Sequence, residues 1–469
     1  MHVLSIRTIQ WAVHHEHHTL LEHFFSQSNL QHTVRILGCG LTTHSPGTCE
    51  YIYACTRSLD VRIATSLIPS LCSQCRSSLY PVFKPQSKPG RSYFSNEIFS
   101  SIMKRLRLTD IAKISSELAL SGRFFLDDVK SIYRQADSEI TGYIKEHGQP
   151  DLVILFNGRM SVPHAYYVAC QRNNIPVLCH EKGSDGKDLS ITINASFGNV
   201  HDMYRSLDLS HLPNDWAAQL LRYQSRKLTT INQRSIHSSY CGEYIVYFTS
   251  SSDEYSADDP SASYESQLSY ITRLSNVAKL YGFDFYVRCH PNNGRILHVI
   301  EASDFLSRLQ ALSLEQSFSI IAHDSPLSSY NLMHNAFISF VSDSHLCLEG
   351  LAAGLPIYSC NKSSALSRVI KDVYRDPERL FVNSFRPLLR PSIALIESAQ
   401  RMLYCINVGR SLDVSRLSQS SLDSFVRLSR LRFRGLLCGH QIGLSHTDQL
   451  SSVDIGIFET ADLIRRLYV

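Results

Sequence analysis

No run of about eighteen or more apolar residues occurs in the chain, so no segment reads as a helix that spans a bilayer. Charge of one sign is also scarce. The formal net charge is +4 over 469 residues, too little for an overall nucleic-acid footprint. The opening residues, "MHVLSIRTIQWAVHHEHH", lack the apolar core and small-residue cleavage site of a secretory signal. The 13 cysteines are an odd number scattered along the chain, a pattern of reduced thiols more than of a disulfide framework. The two Asn-x-Ser sequons, at Asn194 and Asn361, then carry no meaning, and the expected location is cytoplasmic. Internal repeats, low-complexity tracts and a compelling Asp-x-Asp metal motif are all missing.

What is present describes a globular protein. Hydrophobic residues make up 43% and charged residues 19%, outside the disordered range. The length exceeds one ordinary core, and two domains are expected. The second half alternates apolar runs with helical patterns. The runs are "YIVYFTSS" (244–251), "FDFYVRCHP" (283–291), "FSIIAHD" (318–324), "AFISFVSDS" (336–344) and "LPIYSC" (355–360). This alternation predicts a doubly wound parallel sheet. In the first half "HVLSI", "VRILGCG", "DLVILFNG" and "IPVLCHE" read as strands, with helices near 97–117, 126–147 and 161–172. The fold class expected is therefore α/β, two Rossmann-like domains facing a cleft. The expected boundaries are 1–225 for the first, 226–430 for the second and 431–469 for a helical tail packing back. Residues 206–243 read as the connection.

The stretch "SDSHLCLEGLAAGLPI" (342–357) follows a strand directly. Ser342 and Ser344 suit a helix N-cap, Gly354 suits the helix end, and Pro356 prevents continuation. A helix N-terminus beyond a parallel strand favours a phosphate through its N–H groups and dipole. Glu349, further along the helix, would accept ribose or sugar hydroxyls. The ordinary alternative is a βαβ turn with a solvated glutamate. His290 is held extended by Pro291 and would point from the strand end toward a phosphate oxygen. Arg288 alternates with it on the same strand face. A buried, hydrogen-bonding histidine is the competing reading. Donors of this kind stabilise a leaving phosphate, and no metal is needed if they do that work.

In the first half, "LFNGR" carries Asn157 and Arg159 on the acceptor side, and "LCHEKGSDGKD" carries His180, Glu181 and Asp185. Glu181 or Asp185 would be the general base for an acceptor hydroxyl if burial raises its pKa. A salt bridge of Glu181 with Arg159 is the alternative. The cluster "HHEHH" (14–18), with His14 and His15, could ligate a metal; a loop in which these histidines touch the acceptor or solvent is favoured. "CSQC" (72–75) has zinc-knuckle spacing, but a second Cys-x-x-Cys is missing, so whether Cys72 and Cys75 hold a metal stays open. "RLSRLRFRGLLCG" (427–439) would suit an anionic membrane surface or a helix packing back on a domain.

These motifs together resemble the bacterial capsular polysaccharide biosynthesis proteins, whose two α/β domains are glycosyltransferase-B-like. The resemblance rests on Arg288, His290 and Pro291; on Ser325, Ser328, Ser329 and Tyr330; on Ser342, Ser344, Glu349, Gly354 and Pro356; and on "FNGR" paired with "HEKG" (180–183). Lys182 stands where that family has arginine. The resemblance implies a metal-independent glycosyltransferase without cofactor. A nucleotide sugar would be the donor, held through Arg288, His290, Ser325, Ser329, Ser342, Ser344 and Glu349. A glycan or lipid-linked glycan would be the acceptor, with peripheral association at the inner face of the cytoplasmic membrane. Alternatives are a sugar-nucleotide epimerase or polyol-phosphate transferase of the same fold, or a non-catalytic glycan-binding or export-coupling protein.

Overall fold

The computed structural model of the chain describes residues 2–6, 18, 21, 33–37, 133–134, 136–158, 161–182, 189–194, 212, 214–232, 243–250, 263–291, 293, 300–382, 390–408, 411–412 and 457–466. They fall into two units, Met1–Ser206 with Arg410–Leu444, and Leu207–Gly409 with Ser445–Val469.

In the first unit, "LVILF" has no polar face, and such a strand needs cover on both sides. It forms β3 (Leu152–Phe156), with all five residues buried. The sheet also contains β1 (His2–Ile6), β2 (Thr33–Leu37), β4 (Val177–Lys182), β5 (Leu189–Ile193) and β11 (Ser411–Leu412). Their order is β11-β5-β4-β3-β1-β2. The four strands β2, β1, β3 and β4 are parallel; β5 is antiparallel to β4, and β11 to β5. Helix α1 (Ser161–Arg172) packs on β3 and β4. A further helical stretch covers 136–147, the later part of the helix expected at 126–147. The helix expected at 97–117 lies outside the described residues.

The second unit has a five-stranded sheet of β6 (Tyr244–Phe248), β7 (Asp284–Arg288), β8 (Ser319–Ile321), β9 (Ile338–Val341) and β10 (Ile357–Ser359). The order is β10-β9-β6-β7-β8, parallel throughout. Read from its first strand this is 3-2-1-4-5, the Rossmann-type order. Helices α2 (Trp216–Asn232), α3 (Tyr264–Tyr281), α4 (Ile300–Gln316), α5 (Ser329–Asn335), α6 (His345–Ala352), α7 (Ala365–Val369), α8 (Pro377–Val382), α9 (Ile393–Asn407) and α10 (Ile457–Arg466) complete it. All five strands of this sheet lie where the apolar runs predict them. The boundary expected at 225 falls inside α2, which goes wholly with the second unit. β11 returns to the first sheet after 410.

Local chemistry sets the helix ends. Ser263 caps α3, its Oγ accepting from Ser266 N at 3.2 Å. Ser344 caps α6, accepting from Leu346 N at 3.2 Å. Gly354, just beyond α6, takes φ 69°, which glycine adopts without a Cβ penalty. Gly350 has a different reason. A Cβ there would stand 2.5 Å from Ile357 Cγ2 and 2.6 Å from Met333 Sδ, so α6 lies against β10 and α5 at a distance only glycine allows. Leu348 and Leu351 are fully buried on the same helix, each worth about 1.5–3 kcal/mol of burial.

Candidate functional site

In an open parallel sheet, ligands settle beyond the carboxyl ends of the strands, where the order reverses. In the second unit that reversal lies between β6 and β9. The strand ends there are tied together by hydrogen bonds. Ser250, after β6, donates its Oγ to the main-chain carbonyl of Asp343, after β9. The fully buried Gln267 of α3 clamps the main chain of Ser250, accepting from its N–H at 2.8 Å and donating to its carbonyl at 3.2 Å. Thr249 Oγ1 accepts from His290 N at 2.8 Å and from Asn293 Nδ2 at 3.2 Å. Asn293 N donates back to the His290 carbonyl at 2.9 Å, closing the turn around Pro291. Thr249, Ser250 and Asn293 carry no signal in the sequence reading beyond their neighbourhood. Their roles come from pairing between segments far apart in the chain.

The predicted ligands divide into half-buried and fully buried side chains. His290 is half-buried, and its backbone is fixed from behind by Thr249. Ser344 is half-buried, and its Oγ accepts one bond while its own proton remains to donate. Ser329 and Ser325 are half-buried; Ser328, not Ser329, caps α5.

Arg288 departs from the reading that it faces a phosphate beside His290. Its guanidinium donates to the carbonyls of Ala322, Ser325 at 3.0 Å and Leu327 at 3.3 Å. It is 6% exposed, and burial lowers its pKa from the ordinary arginine value. It staples the loop after β8, and only its Nε lacks a partner. The hydroxyl of Ser342 is likewise turned inward. Its Oγ is buried beside the Tyr247 phenol without a hydrogen bond of normal geometry, while its carbonyl accepts from Ser359 Oγ at 2.8 Å.

Glu349 was expected to meet ligand hydroxyls. It is 3% exposed, and both its oxygens have protein donors. Lys227 of α2 engages Oε1, and Tyr330 of α5 donates to Oε2 at 2.9 Å. Burial, and then the neighbouring carboxylate, push the Tyr330 phenol well above its usual pKa. His345 stands against the same group. Burial lowers its pKa, Glu349 opposes the shift and Lys227 adds to it. The physical reason for the departure is that α2 delivers a lysine to this spot from far upstream, which no local pattern announces.

In the first unit the strand ends carry a buried polar chain. Ser5 Oγ lies 2.8 Å from His18 Nε2, and His18 Nδ1 lies 2.8 Å from His180 Nε2. All three residues are buried. One ring must present a bare nitrogen to the other's N–H, so the pair holds at most one imidazolium. His18 belongs to the "HHEHH" cluster, expected to meet acceptor or solvent; its burial in the core places it otherwise. Asn157 follows β3 with φ 30° and Gly158 with φ 65°. This left-handed turn suits Asn and Gly, and Asn157 N donates to the His180 carbonyl at 3.0 Å. Glu181 is half-buried at the end of β4. Arg159, Asp185, His14, His15, Cys72, Cys75 and the basic segment 427–439 lie outside the described residues.

Among the described residues no three His, Cys, Asp or Glu side chains converge as a metal site, and no helix is long and apolar enough to cross a membrane. The described cysteines are buried free thiols; desolvation pushes Cys289 up to about 11.

No protein-family model matches the chain. No curated protein matches it either. Among solved structures it is similar to UDP-GlcNAc 2-epimerase of Methanocaldococcus jannaschii in complex with UDP-GlcNAc and UDP, at 12% identity and a TM-score of 0.29, covering 92% of this chain and 100% of that one. A second structure of the same epimerase is similar at 11% identity and a TM-score of 0.25, covering 92% and 99%. A likeness of that order carries no inference about chemistry. The Rossmann-like architecture of the second unit is read from its own strand order.

Proposed function

We propose that the chain is an enzyme acting on a nucleotide-activated sugar, transferring that sugar to a glycan acceptor in surface polysaccharide assembly. The observation that carries the reading is the braced carboxyl edge of the second sheet. At its point of reversal, Ser250 is tied to Asp343, and the reachable groups of Ser344 and His290 flank that tie. Phosphate oxygens of the donor would take the Ser344 hydroxyl, the first turn of α6 and the His290 imidazole. Such preorganised donors stabilise the charge that develops on a departing nucleotide. The part of Arg288 in this site is indirect: it holds the 322–327 loop. In the first unit, Glu181 would take the acceptor proton.

The alternative reaction on the same substrate class is epimerisation of the sugar. Epimerisation would need a group that takes and returns a proton at a sugar carbon, and the half-buried Glu181 is such a group. One experiment separates the two. The full chain is incubated with UDP-, GDP- and CMP-sugars in deuterated water, with and without a glycan acceptor. Transfer gives free nucleotide that depends on acceptor, whereas epimerisation gives a deuterated, inverted sugar without it. His290→Ala should weaken nucleotide-sugar binding at least tenfold with little change in melting temperature, since its anchoring N–H is retained. A chain that binds none of the panel would count against the nucleotide-sugar reading and leave the polyol-phosphate transferase and the non-catalytic readings.

A further inference from the structure

The strand edge beyond β10 opens onto a second feature, which the nucleotide-sugar reading does not use. A cleft of about 530 Å³ is lined by Lys362, Tyr374, Arg375, Asp376, Arg379 and Leu380. Its floor is rigid. The chain returns beside β10 through a bridge between Ser359 and Tyr374. Ser359 N donates to the Val373 carbonyl at 3.0 Å, and Arg375 N to the Ser359 carbonyl at 2.9 Å. That volume lies within the range of small-molecule sites, about 300–1,000 Å³.

The charges of the lining do not balance. Asp376 is its one carboxylate, and its Oδ1 is already engaged, by Arg273 at 3.1 Å and by Glu378 N at 3.1 Å. Three cations remain. Arg375 is posed by its guanidinium lying 5.2 Å over the Tyr358 ring and by a bond to the Tyr374 carbonyl at 3.1 Å; its nearest acid, the exposed Asp372, is 3.9 Å away. Lys362 and Arg379 have no ion pair among the described residues and stay exposed at the rim. Cations on a flat surface are simply solvated. Three of them around a concavity, against one lining carboxylate that is already paired with Arg273, form a site for an anion of more than one charge.

We propose that this cleft binds the phosphate of a phosphate monoester, with room beside it for a sugar-sized group against Tyr374 and Leu380. Guanidinium forks match phosphate oxygens in pairs, and a phosphate monoester carries about −1.5 to −2 charges near neutrality. A single carboxylate would leave the excess positive charge largely uncompensated. Its lining shares no residue with the Ser344 turn, and the proposal stands whether or not the nucleotide-sugar reading does.

The test titrates the full chain with glucose 1-phosphate by calorimetry and thermal shift at moderate salt. The wild type should bind it and melt at a higher temperature. Lys362→Ala with Arg379→Ala should weaken binding at least tenfold while leaving the unliganded melting temperature unchanged. Ser344→Ala should leave this affinity within twofold. If the double variant melts lower, Arg379→Gln alone, which keeps the aliphatic stem, should still weaken binding at least threefold. The assignment fails if the wild type does not bind, if the cleft variants bind normally, or if Ser344→Ala abolishes binding. Glucuronate binding as tightly as glucose 1-phosphate would equally overturn the choice of phosphate.

Discussion

The ammonium of Lys227 meets the carboxylate of Glu349 across 122 residues of chain. Their side chains are 13% and 4% exposed, and Tyr330 completes the group. Removing one partner of a buried pair strands the other, at a cost of about 3–5 kcal/mol. Lys227→Ala should therefore lower the melting temperature clearly, and Glu349→Gln should lower it too. Replacing both, as Lys227→Met with Glu349→Leu, should cost less than either single change. A Glu349→Gln variant that melts like wild type and only raises KM for a nucleotide sugar would return Glu349 to the role of a ligand contact.

Ser344 has two tasks that substitution can separate. Ser344→Ala loses the cap of α6, about 1 kcal/mol, together with a donor to phosphate. Turnover should fall roughly tenfold or more, by the scale of one lost donor. Ser344→Asp keeps a capping oxygen but repels phosphate. Stability measured by denaturant should recover in this variant while turnover falls further. Recovery of both together would mean that the residue only caps.

Two glycine-to-alanine changes should have opposite signs. At Gly350 the new methyl meets Ile357 and Met333 at 2.5 and 2.6 Å, and overpacking of this kind costs about 1–3 kcal/mol. At Gly142, helical and exposed with nothing within 4 Å, alanine should stabilise by about 0.5–1 kcal/mol. Thermal melts of the two variants decide it.

Two histidines set an acid limit on the second unit. The pKa of His345 is lowered by burial and that of His334 by burial and by Arg465. A lowered folded pKa means that the unfolded chain binds more protons, so their contribution is present above the ordinary value of 6.5 and is lost as pH falls through the folded values. The melting temperature should drop between pH 7 and pH 5, and His334→Gln with His345→Gln should flatten that slope. An unchanged slope in the double variant would place the acid sensitivity elsewhere.

The five strands of the second sheet and the helix of "SDSHLCLEG" were legible because each rests on local rules. Unbroken apolar runs need burial on both faces, serine satisfies free N–H groups at a helix start, and glycine turns left-handed at its end without a Cβ penalty. β5 and β11 escaped notice. "LSITI" is stabilised by pairing with β4, and two residues of β11 are too few to show a period. After residue 360, "ALSRV", "PERLFV" and "IALIESAQRMLYCIN" form helices that the alternating pattern no longer framed.

The sequence by itself determined that chemistry-bearing residues gather at strand ends, since His290, Ser344 and Asn157 each follow an apolar run that must be a buried strand. Which of them face outward was decided by tertiary structure alone. Arg288 turned to the carbonyls of 322–327, Glu349 to Lys227 and Tyr330, and His18 to His180. Each is a polar group that folding takes out of water, and a buried polar group must find its partner wherever the packing puts one. Those partners lie 19 to 162 residues away, beyond the reach of any local pattern.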